Sequence, residues 1–195
     1  MISTPLRPRT RPVRAVLSPL ASAILWIGCD GSLITIPVEQ RAETTVAAGT
    51  ILEDLLGDMG FSDFLAMDIV QSEELQNQGV APGDVQDVRL VALSLEAKSP
   101  GGSDLSFLSS VEFWVEAPDL PRARVASAIA FPEGQAHVAF TIDDLDLTDY
   151  ATSQSMTLTT EVTGHRPDED TLVEAVIELD VGVTAQGACR AAEGS

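Results

Sequence analysis

The sequence predicts a mainly β protein, an antiparallel β-sandwich of seven or eight strands with one or two short helices. Three observations lead there. From residue 86 onward, apolar and polar residues alternate with period two in one segment after another. Turn-forming Pro and Gly clusters separate these segments at regular intervals. One row of the last and clearest strand is unbroken aliphatic while the other carries acids, the pattern of a sheet with one dry and one wet face.

In chain order, residues 33–46 read as an opening strand, with Ile34, Ile36 and Val38 alternating with polar or turn-compatible residues. Pro37 cannot donate to a ladder, so this strand belongs at a sheet edge or carries a bulge. Thr50 and Glu53 form a capping box, and Leu52, Leu55, Leu56 and Met59 then recur at helical spacing until Gly57 and Gly60 stop the helix. Residues 61–82 read as a short strand followed by a partly helical crossover, with a helical turn at 72–77.

Val88 to Ala97 is the next strand, ended by Ser99-Pro100-Gly101-Gly102. Val111, Phe113 and Val115 then face one way, and Glu112, Trp114 and Glu116 the other. Pro118 and Pro121 break that run. Val125 to Phe131 follows, then Val138, Phe140 and Ile142, then Met156, Leu158, Thr160 and Val162. The last strand aligns Val173, Ala175, Ile177, Leu179, Val181 and Val183 opposite Glu174, Glu178 and Asp180. Residues 164–170 are read as the hairpin turn joining the last two strands. This count and spacing suggest an immunoglobulin-like sandwich, although the tyrosine and disulfide marks of antibody domains are missing and the topology stays open. Phe61, Phe64, Phe107, Phe113, Phe131 and Phe140 are assigned to the core.

A chain of 195 residues has room for one such domain and can bury roughly 70% of its unfolded surface, so its core needs neither disulfide nor metal. The net charge is −19, and it is unevenly placed. Residues 1–28 carry four arginines and no acid, so the rest holds 7 basic and 30 acidic residues, a net −23. Such a body is repelled by nucleic acid and by anionic lipid heads. It suits a cationic partner or serves solubility.

The first residues have a different logic. Arg7, Arg9, Arg11 and Arg14 precede a 13-residue apolar run, Ala15 to Ile27, which leads to Gly28, Cys29 and Asp30. The run is too short to span a bilayer, which takes roughly 20 apolar residues. A basic start and a short apolar middle are the layout of a secretory signal. The sequence Leu25-Trp26-Ile27-Gly28-Cys29 resembles the lipobox of bacterial lipoproteins, with Trp26 where leucine is usual. The resemblance covers residues 1–29. It implies that Cys29 becomes the lipidated first residue of the mature chain, and that the protein is held by that lipid to a membrane of the bacterial envelope. An acidic residue after the lipidated cysteine retains some such proteins on the inner membrane, and Asp30 holds that position, but the choice of membrane stays open. The mature domain resembles uncharacterised envelope proteins with an immunoglobulin-like sandwich. The expected division is a signal peptide at 1–28, an anchor linker at 29–32, the sandwich at 33–188 and a tail at 189–195.

The two cysteines are Cys29 and Cys189. A lipid on Cys29 leaves Cys189 a lone thiol. Cleavage elsewhere, after Ala21-Ser22-Ala23 for example, or an unlipidated Cys29 bonded to Cys189, would instead give a soluble exported domain. Lipid and disulfide exclude each other.

Catalysis needs a tuned acid, base or nucleophile. His137 begins a strand and His165 sits in a turn, and neither belongs to a nucleophile, zinc, phosphate or dinucleotide motif. No enzyme and no cofactor are expected. The strongest constellation is Asp143, Asp144, Asp146 and Asp149, an oxygen-rich run of the kind that can hold calcium. It fails the EF-hand pattern, because counting from Asp144 the sixth residue is Asp149 and the twelfth is Ser155. Its plainer reading is a solvated loop entering a helical turn before Tyr150. Trp114, between Glu112 and Glu116, is a candidate contact for a sugar or a cation, unless the 51–59 helix or the 61–82 crossover covers it. The expected function is therefore a non-catalytic binding or structural role in the envelope. A calcium-dependent adhesion module and a hydrolase with an unfamiliar site are the rivals.

Overall fold

The last strand sets the frame. β8 (Thr171–Val183) turns Val173, Ala175, Ile177, Leu179, Val181 and Val183 inward, all buried, as their unbroken row predicts. Each Val, Leu or Ile so buried contributes about 1.5–3 kcal/mol. β8 lies between β1 (Ile34–Val46) and β2 (Val85–Ser99), both antiparallel to it, and β5 (His137–Ala139) flanks β2. The order of this first sheet is β1-β8-β2-β5. A second antiparallel sheet, in the order β6-β4-β3-β7, joins β3 (Leu108–Glu116), β4 (Ala123–Ala128), β6 (Thr141–Ile142) and β7 (Thr157–Gly164). The computed structural model describes residues 34–49, 69, 72–153 and 156–185.

Between the sheets lies one apolar core. Ile36, Val38, Leu93 and Leu95 from the first sheet meet Val111, Phe113, Val115 and Val162 from the second. The protein is thus a β-sandwich, with eight strands and two short helices, α1 (Glu73–Asn77) and α2 (Thr148–Ala151), among the described residues. Ser72 caps α1, accepting from the Leu75 amide, and α2 is the helical turn expected around Tyr150. The first strand pairs with the last, whereas in the immunoglobulin constant order it lies beside the second.

Pro37 sits on β1, at the edge of its sheet, where a missing N–H is tolerated. β2 is less regular than its sequence suggests. Register shifts fall between Gln86 and Val88, Leu90 and Ala92, and Ala97 and Ser99. The first places Asp87 at φ 54°, a left-handed conformation that Asp tolerates better than most residues. The second reverses the alternation, so that Leu90 and Leu93 both point inward and Val91 is left 47% exposed.

Three expectations are corrected. Residues 164–170 are not a hairpin, because β7 pairs with β3 in one sheet and β8 with β1 and β2 in the other; the segment crosses between sheets. The strand expected at 125–131 ends at Ala128, since β4 pairs with β6 only as far as Ser127 and the chain then leaves for the other sheet, exposing Ile129. The single strand expected at 138–142 is two. β5 belongs to the first sheet and β6 to the second, and Phe140 sits at the switch, its amide bonded to the Leu93 carbonyl at 2.9 Å. The 51–59 helix, the strand expected after residue 61, Phe61, Phe64, Cys29 and Cys189 lie outside the described residues.

The sandwich has two ends. The Ile34 end collects the start of β1, the start of β2 and the end of β8, with Ile34 and Val85 both opposite Val183. The Thr171 end collects Val46, the start of β8, and the connections at 100–107, 129–136 and 165–170.

Candidate functional site

The Thr171 end holds a polar hollow of about 200 Å3, lined among others by Ser103, Asp104, Ser106, His165, Asp168 and Glu169. Asp104 organises it. Its carboxylate accepts from the Ser106 amide at 2.9 Å and from the Gly134 amide at 2.6 Å, tying the 100–107 connection to 129–136. The Ser106 hydroxyl, followed by the amides of Gly134 and Ser106, holds the Asp104 carboxyl below the usual carboxylate range. The Ser103 hydroxyl donates to the Pro100 carbonyl at 2.7 Å. The His165 amide donates to the Phe107 carbonyl at 2.8 Å, leaving its ring at the surface.

Backbone geometry brings these connections together. Gly164 lies so close to 107–108 that a Cβ there would stand 3.0 Å from the Leu108 Cα and closer still to the Phe107 carbonyl oxygen. Asp170 accepts from the Ala48 amide at 2.8 Å, which fixes the crossover to the end of β1. Chemically, the hollow offers one firmly ionised carboxylate, two further acids and an imidazole. The Ser103 hydroxyl is turned to the Pro100 carbonyl rather than to His165.

The aspartate run lies at the opposite, Ile34 end, and the structure does not draw its four carboxylates together. Asp143 accepts from Arg124 Nε at 2.8 Å and Asp144 from Arg89 at 2.9 Å. Asp146 accepts from both the amide and the hydroxyl of Thr148, contacts that, with Arg89 nearby, hold its pKa below the ordinary value despite partial burial. Asp149 is exposed in the first turn of α2. Among the described residues no three His, Cys, Asp or Glu side chains are placed to hold a metal ion.

Trp114 faces outward from β3, as its place between Glu112 and Glu116 predicts, and a face of its ring is covered. The cover is Arg122 from the β3–β4 connection, whose guanidinium carbon stands 4.4 Å from the ring centre. The 51–59 helix expected to compete for that role lies outside the described residues. Arg122 belongs to a wider pattern, in which each of five basic residues bridges two acids: Arg41 with Glu39 and Glu174, Arg89 with Asp87 and Asp144, Lys98 with Glu96 and Glu174, Arg122 with Glu116 and Glu161, Arg124 with Glu112 and Asp143.

The hollow is absent from the sequence reading because its residues come from segments some 60 positions apart. The signal present was local: Asp104 two residues before Ser106 is the spacing at which an Asp side chain caps a backbone turn. No protein-family model matches the chain, and no curated protein matches it.

Proposed function

We propose that this protein is a non-catalytic bacterial envelope lipoprotein, held to a membrane by a lipid on Cys29, whose β-sandwich serves a binding or structural role. The observation that carries the reading is the layout of residues 1–29: four arginines, a 13-residue apolar run, then Gly28 before Cys29. Several acyl chains on one cysteine anchor stably, where one is marginal. The membrane contact is then the lipid, since the body is acidic. The non-catalytic part rests on the sequence, in which neither His137 nor His165 belongs to a nucleophile, zinc, phosphate or dinucleotide motif.

The test is fractionation of cells making the wild-type chain or Cys29→Ala. Wild type in the membrane fraction and variant in the soluble exported fraction is the expected result. Equal partition of the two removes the anchor, and labelling of the protein by serine-reactive probes removes the non-catalytic assignment.

A further inference from the structure

The two sheets treat like charges differently. In an antiparallel pair, side chains directly opposite have Cβ atoms about 4.5–5.5 Å apart, and like charges there are destabilising. β3 and β7 set Glu112 opposite Glu161, but each has an arginine of its own, Arg124 for Glu112 and Arg122 for Glu161. β1 and β8 set Glu39 opposite Glu178 and Glu43 opposite Glu174. One arginine serves both of these pairs: Arg41, which meets Glu39 at 2.7 Å and Glu174 at 3.4 Å.

Help from the far side is already committed. Lys98 reaches Glu174 from β2 at 3.2 Å, but Glu96 also stands opposite Glu174 and shares that lysine. Arg89 stands opposite Asp180, yet its guanidinium is turned to Asp87 and Asp144. Glu43, Glu178 and Asp180 form no ion pair among the described residues. Against this repulsion stands burial, since Ile36, Val38, Ala42 and Val46 of β1 all face the core. Charge therefore loosens a strand that apolar contact retains.

We infer that β1 is a latch sensitive to ionic strength: in dilute salt the glutamates across β1 and β8 repel and the strand opens transiently, and in concentrated salt it closes. The sign follows from range. The screening length is about 30 Å at 0.01 M and about 3 Å at 1 M. At 1 M it is shorter than the spacing of the opposed glutamates, whereas the contacts of Arg41 at 2.7 and 3.4 Å outlast it better. β1 is the strand that carries residues 1–33, so salt tightens the joint between the sandwich and that segment.

Hydrogen exchange read by mass spectrometry tests the latch. The purified protein, in a nonionic detergent, is compared at 0.01 M and 1 M sodium chloride, with β3 as the internal reference. Exchange of β1 relative to β3 should slow several-fold at the higher salt. Glu43→Gln with Glu178→Gln should slow β1 in dilute salt and remove most of that difference. Arg41→Gln, which leaves both glutamate pairs without their shared cation, should enlarge it.

A ratio of β1 to β3 exchange that ignores salt overturns the latch, and so does a full salt response retained by the double variant. Slowing of β1 and β3 by the same factor makes the effect global and overturns its assignment to β1. Closure by 1 mM calcium chloride in 0.01 M sodium chloride, as complete as that at 1 M salt, would make a bound cation the cause and overturn screening.

Discussion

Arg122 lies over the indole of Trp114, 4.4 Å from the ring centre, while its guanidinium pairs with Glu116 on the same strand and Glu161 on the next. A residue that looked available for a sugar or a cation is thus already engaged with a cation of its own chain. The cover has a cost, because the buried Trp114 indole N–H finds no acceptor among the described residues.

Removing the cover should therefore change spectroscopy more than stability. Cation–π contact at an exposed site is worth about 0.5–1 kcal/mol, and exposed ion pairs are worth about as little. Opening the indole N–H to water offsets part of that loss. Arg122→Ala in the mature domain, where Trp114 is the only tryptophan, is expected to unfold within about 1 kcal/mol of wild type. Its emission should shift red and its acrylamide quenching should rise. Unchanged emission would mean that something else shields the ring.

Phe113 and Phe140 join the sheets at the switch between β5 and β6, edge to face with centroids 5.4 Å apart. Phe113→Ala and Phe140→Ala should each cost about 3–5 kcal/mol in denaturant titrations. The double variant should fall short of the sum by about 0.5–1.5 kcal/mol. Strict additivity would show that the pair is energetically independent.

Gly164 and Gly101 predict opposite responses to the same substitution. Gly164→Ala drives a methyl into the 107–108 backbone and should destabilise by about 1–3 kcal/mol. Gly101→Ala meets open space and should leave the melting temperature at or slightly above wild type. A harmless Gly164→Ala would show that the crossover is not closely packed.

Asp104 gives a pH test. Its pKa is lowered in the folded state, so the stability it contributes is fully present above the ordinary carboxylate pKa of about 3.9 and is lost as pH falls through the lowered folded value. Asp104→Asn should cost about 1 kcal/mol at neutral pH through weaker hydrogen bonds to Ser106 and Gly134. The difference from wild type, followed by melting temperature against pH, should close below pH 4. A constant difference across the whole range would show that the charge of Asp104 contributes nothing.

Much of the sandwich was legible because period-two rows report directly which side chains are dry. β1, β3, β7 and β8 follow their rows, and β1 lies at a sheet edge, one of the two placements that Pro37 allows. Sheet membership was not legible, because alternation says which face a residue takes but not which sheet its strand joins. Hence the segment at 138–142 read as one strand, and 164–170 read as a hairpin. The bulge at Leu90–Ala92 did leave a trace, since Leu90 and Leu93 are three apart where strict alternation wants two. The hollow around Asp104 was hidden for a different reason, that its walls are assembled by pairings between distant segments. The aspartate run was visible, yet its side chains turn to Arg124, Arg89 and Thr148, partners that spacing along the chain does not reveal.

The central claim is the lipid on Cys29, and intact mass tests it most directly. Protein extracted from membranes should give a mature chain starting at Cys29 with added acyl mass, and Cys29→Ala should lose that mass. A chain cut elsewhere, or an uncut chain without lipid, would contradict the account; with a Cys29–Cys189 disulfide, it would make the protein a freely diffusing exported domain.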